Sequence, residues 1–380
     1  MGMVTDTDMV LTITKSIKMI NFSTHIKNIL IAGPCSAESE LQINTTFEQL
    51  SNIPQISLFR AGVWKPRTRP GTFEGFGEQA LQWINNSKQQ FNIPVCIEVA
   101  HPKHVELALK YNIDVLWIGA RTTTNPFSVN EIANALQGVN IPVMIKNPMH
   151  PELKLWIGAI ERIINAGITN IAAIHRGFFY YGNDKYRNKP LWQIPLELKT
   201  ILPDLPIICD PSHISGKKEY IFEIAQKALN LGMNGLMIET HYNPSVALSD
   251  KEQQLTPDEL KSLITQLKFL DTSSDDPLFN NKLNIFRQII DEIDDDILHL
   301  ISKRLDIVQQ IAYYKKEHNV TAFQLSRWKE ILNSRKSTAK ELNISENFIH
   351  QLLALLHEES INIQNKVLNQ SSEKITEPKK

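Results

Sequence analysis

From about residue 28 to about 270, short apolar runs alternate with stretches whose apolar residues recur three and four positions apart. The short runs are 28–35, 57–64, 94–99, 115–120, 142–146, 170–175, 206–210 and 235–239. They are rich in β-branched and apolar residues, and most are bounded by Pro, Gly or Asn, as strands are. The stretches between them, such as 151–166 and 217–231, read as amphipathic helices. Gly167 and Gly232 stand where helices end, in the position that favours glycine. Eight strand–helix repeats over roughly 240 residues predict an α/β fold, a (β/α)8 TIM barrel. A doubly wound open sheet is the alternative, but no Gly-x-Gly-x-x-Gly follows the first strand as a dinucleotide fold would want.

The pattern changes at Asp271-Thr272-Ser273-Ser274-Asp275-Asp276-Pro277, a polar, acidic, proline-ended linker. The expected organisation is a barrel over 1–270, a linker over 271–278, a separate all-α domain over 279–368 and a disordered tail over 369–380. From Phe279 to about Lys316 no Gly or Pro interrupts a helical period. At ~1.5 Å per residue that helix would be ~55 Å long. A segment of this size cannot cover such a helix by itself, so a homodimer through the helical domain is expected. Two further helices are expected near 326–340 and 345–368.

Composition narrows the class of protein. The chain has 380 residues, 42% hydrophobic and 21% charged, with a formal net charge of -1. That leaves room for two domains and gives no support for a nucleic-acid or membrane-surface partner. Cys35, Cys96 and Cys209 all fall in apolar runs, which suggests reduced thiols and not a disulfide framework. The N-terminus lacks the continuous apolar core of a signal peptide, and no run approaches membrane-spanning length. A soluble cytoplasmic protein is expected.

Chemistry gathers at the strand ends. In order they carry Cys35, Lys65, Glu98, Arg121, Lys146, Arg176, His213 and Glu239. The C-terminal ends of barrel strands are where active sites are built. Arg60, Lys65, Arg67, Arg121, Lys146 and Arg176 would converge on one mouth, and so many cations call for a substrate pair with several negative charges. Cys35, His213, Glu239 and Asp250 form a mixed soft and hard donor set suited to a divalent transition metal. Each also has a plainer reading: Cys35 as a small buried residue, His213 as a helix cap.

Gly33-Pro34-Cys35-Ser36, Lys65-Pro66-Arg67-Thr68, Gly119-Ala120-Arg121, His175-Arg176-Gly177, Asp210-Pro211-Ser212-His213 and Ile238-Glu239 resemble the motif series of class I DAHP synthases, in order and spacing. That family condenses phosphoenolpyruvate with erythrose 4-phosphate. The near relative that uses arabinose 5-phosphate usually carries Lys-Ala-Asn-Arg-Ser where this chain has Lys65-Pro66-Arg67-Thr68. The resemblance implies metal ligation by Cys35, His213, Glu239 and Asp250, by Mn, Fe, Co or Zn without distinction. It implies phosphoenolpyruvate contacts from Arg60, Lys65, Arg121, Lys146 and Arg176, erythrose 4-phosphate contacts from Lys65, Pro66, Arg67 and Thr68, and a substrate contact from Ala120. Lys65, Lys146 and His213 would be the catalytic groups. A metal-free aldolase that uses Lys146 as a Schiff base is the competing enzyme reading.

In the helical segment, Arg304 lies within about 20° of both Ile297 and Ile311 on a helical wheel, and Lys315 is about 20° from Arg304. Both could snorkel to water, but two cations on one apolar stripe suggest an internal anion site. Arg287 is about 100° round from Arg304 and would serve a different pocket. Arg287, Arg304, Lys315, Arg327, Ser360 and Gln364 resemble the substrate-binding pattern of AroQ-type chorismate mutases, all-helical dimers that use one arginine from the partner. The resemblance implies rearrangement of chorismate to prephenate, with Lys315 and Gln364 at the breaking ether oxygen. Gln324 and Trp328 depart from the acidic residues usual there. A dimerisation module that senses chorismate or prephenate without turning it over is the alternative, and feedback on the barrel by prephenate is a further expectation.

Overall fold

A computed structural model of the chain describes residues 21–22, 28–65, 71–182, 185–271 and 273–370. The first unit is a closed barrel of eight parallel strands in chain order. These are β1 (Ile29–Gly33), β2 (Leu58–Ala61), β3 (Val95–Val99), β4 (Val115–Ile118), β5 (Val143–Lys146), β6 (Ile171–His175), β7 (Ile207–Cys209) and β8 (Gly235–Glu239). β8 closes on β1, with Ile29 opposite Gly235 and Gly33 opposite Glu239. The repeat pattern is thus realised as the expected barrel and not as an open sheet.

Strand side chains alternate between two faces, and here both are apolar. Ile31, Leu58, Cys96, Trp117, Met144, Ile174, Ile208 and Met237 belong to one buried cluster inside the barrel. Leu30, Phe59, Ile97, Leu116, Ile145 and Ala173 face the outer core. The helix Leu153–Asn165 covers that face with Trp156, Ala159, Ile160 and Ile163, one stripe at helical spacing. Phe22 joins the interior cluster, and its N–H donates to Asn170 Oδ1 at 2.8 Å just ahead of β6. It closes the N-terminal end of the barrel.

The same period of two builds the opposite end. Two residues beyond the inward-facing Leu58, Cys96, Met144, Ile174, Ile208 and Met237 stand Arg60, Glu98, Lys146, Arg176, Asp210 and Glu239. The apolar filling therefore stops and an ionic layer begins. Several strands end earlier than the sequence pattern suggests. Cys35 and Lys65 lie in loops, and Arg121 sits on a short helix, Ala120–Thr123. β1 ends at Gly33 (φ +143°), where a Cβ would lie 2.1 Å from the Arg60 carbonyl oxygen. Only a residue without a side chain permits that approach.

The chain divides into two compact units at residues 272 and 273. Among its described residues the second unit holds three helices, Pro277–Glu317, Leu325–Glu341 and Glu346–Asn369. The first starts at Pro277, two residues before the expected Phe279, because Asp276 caps it by accepting the Leu278 N–H at 2.9 Å. It packs against the last helix, with Val308, Ala312 and Val367 buried. Its earlier half displays Ile289, Ile290, Ile293 and Ile297 to solvent. The last helix runs through Asn369, so the expected tail begins later; residues 371–380 lie outside the described residues.

Candidate active sites

The barrel mouth brings together a thiol, an imidazole and carboxylates. Ligand atoms of Cys35, Glu239 and Asp250 lie within 4.8 Å of one another, and Cys35 Sγ is 3.4 Å from Asp250 Oδ2. His213, on the short helix Pro211–Ser215, places Nε2 3.7 Å from Glu239 Oε1 and Nδ1 2.8 Å from Asp210 Oδ2. Three of the four expected metal ligands are thus tightly grouped, and His213 approaches from the Glu239 side. A carboxylate against the far ring nitrogen is the usual way to orient a ligand imidazole. The donor set fits a divalent transition ion.

The cations lie beside this cluster. Arg60 is 1% exposed; its Nη2 donates to Glu239 Oε1 at 3.0 Å and its guanidinium carbon lies 5.1 Å from the Trp117 ring centroid. Lys146 Nζ donates to Asp210 Oδ2 at 2.8 Å. Lys65 Nζ donates to both the carbonyl oxygen and Sγ of Cys35 at 3.0 Å. Three of the expected cations therefore meet partners inside the protein, which offsets the cost of burying them. Spare capacity remains. Among the described residues, Arg60 Nε and Nη1 are buried with no hydrogen-bond partner, Nη1 lying 3.9 Å from Asp210 Oδ2. Arg176 is buried and its Nη1 reaches Met149 Sδ at 3.8 Å and the Gly177 carbonyl oxygen at 3.5 Å, with no carboxylate in hydrogen-bond reach among the described residues. Arg121 is exposed on its short helix.

These environments shift the titrating groups. Burial would push the Asp210 carboxyl up, but His213, Lys146 and Arg60 hold it well below the usual range. Burial likewise opposes, and His213 and Arg60 reverse, the shift at Glu239, which also ends low. Burial raises the Cys35 thiol to about 12, with Glu239 adding and Lys65 opposing. Burial lowers the His213 imidazole against the opposing pull of Asp210. Burial brings the Arg176 guanidinium down to about 10 against the pull of Asp210, and Arg187 and Arg121 add to the drop.

Sequence reasoning passed over several residues of this site. Asp210, inside a quoted motif, is the shared partner of Lys146 and His213. Trp117 floors the cup and its Nε1 donates to Glu98 Oε2 at 3.2 Å. Asn147 Oδ1 accepts the Arg176 N–H at 2.7 Å. Arg187, Gln253 and Gln254 border the thiol and carboxylate cluster from loops that carry no motif. Asp210 and Trp117 had a signal, the inward parity of their strands; the loop residues had none. Ala120 opens the short helix that carries Arg121. Pro66, Arg67 and Thr68 lie outside the described residues.

In the helical unit, Arg304 Nη1 donates to Ser360 Oγ at 2.8 Å, and Lys315 Nζ donates to Gln364 Oε1 at 2.9 Å. Burial lowers both cations. These four residues form one polar seam between the first and last helices. Arg287 does not join them; it is exposed about 17 residues, or ~25 Å, earlier on the same helix. Arg327 pairs instead with Glu330 at 2.8 Å. The Trp328 ring stacks on His357 at 4.1 Å.

Closed parallel barrel, cationic cup and mixed thiol–imidazole–carboxylate cluster together define a (β/α)8-barrel enzyme for anionic substrates. The DAHP synthetase I family model matches residues 14–275, and the chain belongs to that family. The chorismate mutase type II model matches residues 286–365. This pair of domains is that of a bifunctional shikimate-pathway enzyme. The chain is 29% identical over 241 residues to a phospho-2-dehydro-3-deoxyheptonate aldolase of Thermotoga maritima, covering 63% of this chain and 69% of that one. It is also 29% identical over 268 residues to a 2-dehydro-3-deoxyphosphooctonate aldolase of Helicobacter acinonychis, covering 63% of this chain and 94% of that one. The crystal structure of the Thermotoga maritima DAHP synthase superposes with a TM-score of 0.57 at 28% identity, covering 64% of this chain and 68% of that one. No helix among the described residues is long and apolar enough to cross a membrane.

Proposed function

We propose that the barrel condenses phosphoenolpyruvate with erythrose 4-phosphate, using a divalent transition metal held by Cys35, His213, Glu239 and Asp250. What supports this reading is the pair of spare buried donors on Arg60, with the buried guanidinium of Arg176 in the same mouth, beside that donor cluster. Arg60, Arg121, Lys146 and Arg176 hold the anionic ends of phosphoenolpyruvate. Arg67 and Thr68 hold the phosphate of the sugar. When bound, the metal supplies Lewis-acid polarisation of the aldehyde. Lys65 Nζ, next to Cys35, gives a proton to the aldehyde oxygen as C3 of the enol phosphate attacks its carbon. Water then adds at C2 and phosphate leaves. Positioning and fixed charge carry the rate, with no covalent enzyme intermediate.

Two rival readings are weaker. The octonate relative takes another product class, and Lys65-Pro66-Arg67-Thr68 favours the shorter sugar. A Schiff base on Lys146 would have to break the 2.8 Å pair with Asp210. The deciding experiment follows phosphoenolpyruvate loss with erythrose 4-phosphate and with arabinose 5-phosphate, with and without chelator. Faster turnover of the five-carbon sugar, or a borohydride-trapped adduct, would overturn the assignment.

The helical unit converts chorismate to prephenate in the seam of Arg304, Lys315, Ser360 and Gln364. The reaction is pericyclic, so the unit must hold the compact conformer and stabilise charge on the ether oxygen. Removing one such donor from an enzyme costs ~3 kcal/mol. The exposed stripe of Ile289, Ile290, Ile293 and Ile297 supports a homodimer, in which Arg287 and Arg327 complete the site. Prephenate bound there would lower the activity of the barrel; unchanged condensation kinetics at saturating prephenate would remove this regulation. The free, buried cysteines fit a cytoplasmic setting.

A further inference from the structure

We infer that Arg187 and Gln253 are positioning residues that tie back one oxygen each of Asp250 and Glu239, turn the other toward the donor cluster, and so set how tightly the barrel holds its metal. The inference rests on the metal-dependent reading above. Arg187 lies in the loop after β6 and belongs to no motif. Its Nη1 is 3.0 Å from Asp250 Oδ1 and donates to Gln253 Oε1 at 2.9 Å. Gln253 Nε2 in turn donates to Glu239 Oε2 at 2.7 Å. Only one orientation of the Gln253 amide serves both partners, oxygen toward the guanidinium and nitrogen toward the carboxylate. The other two oxygens face the cluster, and Glu239 Oε1, which accepts from Arg60 Nη2 at 3.0 Å, keeps a second lone pair for a ligand bond. Asp250 Oδ2 is 3.4 Å from Cys35 Sγ, and Glu239 Oε1 is 3.7 Å from His213 Nε2.

Tying one oxygen of each carboxylate disfavours two-oxygen chelation by either. The ligand number stays low, and a position remains for substrate. The same stretch of backbone also braces the third ligand. Asn188 Nδ2 donates to the His213 carbonyl oxygen at 2.7 Å. The N–H groups of Arg187 and Asn188 donate to the carbonyl oxygens of Ser215 and Ile214 at 3.2 and 3.1 Å. Arg187-Asn188 is thus a common reference for Asp250, Glu239 and His213.

The test strips the full-length protein with chelator and titrates it with Co2+ against a chromophoric chelator. Loss of such an outer partner typically weakens metal binding 10- to 100-fold. Arg187→Ala should lower Co2+ affinity by about that factor and change the cobalt visible spectrum, and Gln253→Ala should do the same. Arg187→Lys should recover part of the loss. Because Arg187 is exposed, stripped Arg187→Ala should unfold at the same midpoint as stripped wild type. Equal Co2+ affinity and spectrum in wild type and both alanine variants would overturn the inference and leave the metal-dependent reading standing. So would weaker binding matched by a lower midpoint with an unchanged spectrum. A wild-type protein that takes up no Co2+ would overturn both.

Discussion

Lys65 Nζ rests 3.0 Å from Cys35 Sγ, yet the Cys35 thiol is raised to about 12. Burial and the nearby Glu239 outweigh the ammonium. The thiol of the metal-free protein should therefore stay protonated near neutral pH and react slowly with iodoacetamide. Cys35→Ala should abolish condensation, spare the mutase reaction and leave the barrel folded by circular dichroism. Full condensation by a chelator-treated Cys35→Ala sample would remove Cys35 from the mechanism.

Asp210 should be costly to lose. It is the carboxylate that Lys146 and His213 share, and it lies below the usual range because they surround it. Removing one partner of a buried pair typically costs 3–5 kcal/mol. Asp210→Asn should lower stability in urea by about that much, and Lys146→Met with Asp210→Asn should cost less than the sum of the single changes. Additive losses would mean that the pair is not coupled.

His175 makes the barrel acid-sensitive. Burial between Phe178 and Trp192, and the charge of Arg176, bring its imidazole down to about 3. Between its unfolded value of about 6.5 and that folded value, the unfolded chain binds a proton that the folded chain does not. Stability is therefore complete above about pH 6.5 and falls as the pH drops toward 3. One such group contributes a slope of up to about 1.4 kcal/mol per pH unit. Urea titrations of His175→Gln should show a shallower fall across this window; a parallel curve would contradict the assignment.

A mutase site shared across two chains has a distinctive signature. Lys315→Ala should lower mutase turnover by about 10²–10³ and spare condensation, as expected for loss of one charge-stabilising donor. Arg287→Ala should also be impaired. If Arg287 serves the partner's seam, mixing and reassembling the two inactive variants should restore part of the activity, since mixed dimers regain one intact site. No recovery on mixing would place Arg287 outside the site.

The architecture was legible because the same run-and-helix unit recurs eight times, and repetition corrects for errors in any one of them. Strand ends were harder to read. Lys65 and His213 drew notice as strand-end residues, whereas the inward positions of β2 and the β7 end are Arg60 and Asp210. Arg60 was already among the expected cations, and counting in twos from Ile208 finds Asp210 as well. Gln253 and Arg187 could not be read in this way. Their roles arise where loops after different strands meet, and nothing local in either segment records that meeting. The helical seam was visible as two cations on an apolar stripe, but the partners Ser360 and Gln364 needed the family pattern.

Phe22 plugs the lower end of a barrel whose interior is already filled by Trp117, Met144 and their neighbours. Among the described residues the filled interior leaves no passage along the axis, so ligands come and go through the mouth. Whichever substrate lies deepest, against Arg60 and Trp117, must board first, and the second then covers it. Turnover should accordingly follow a compulsory order of entry, a kinetic rule imposed by the floor of the vessel and not by the groups that do the chemistry.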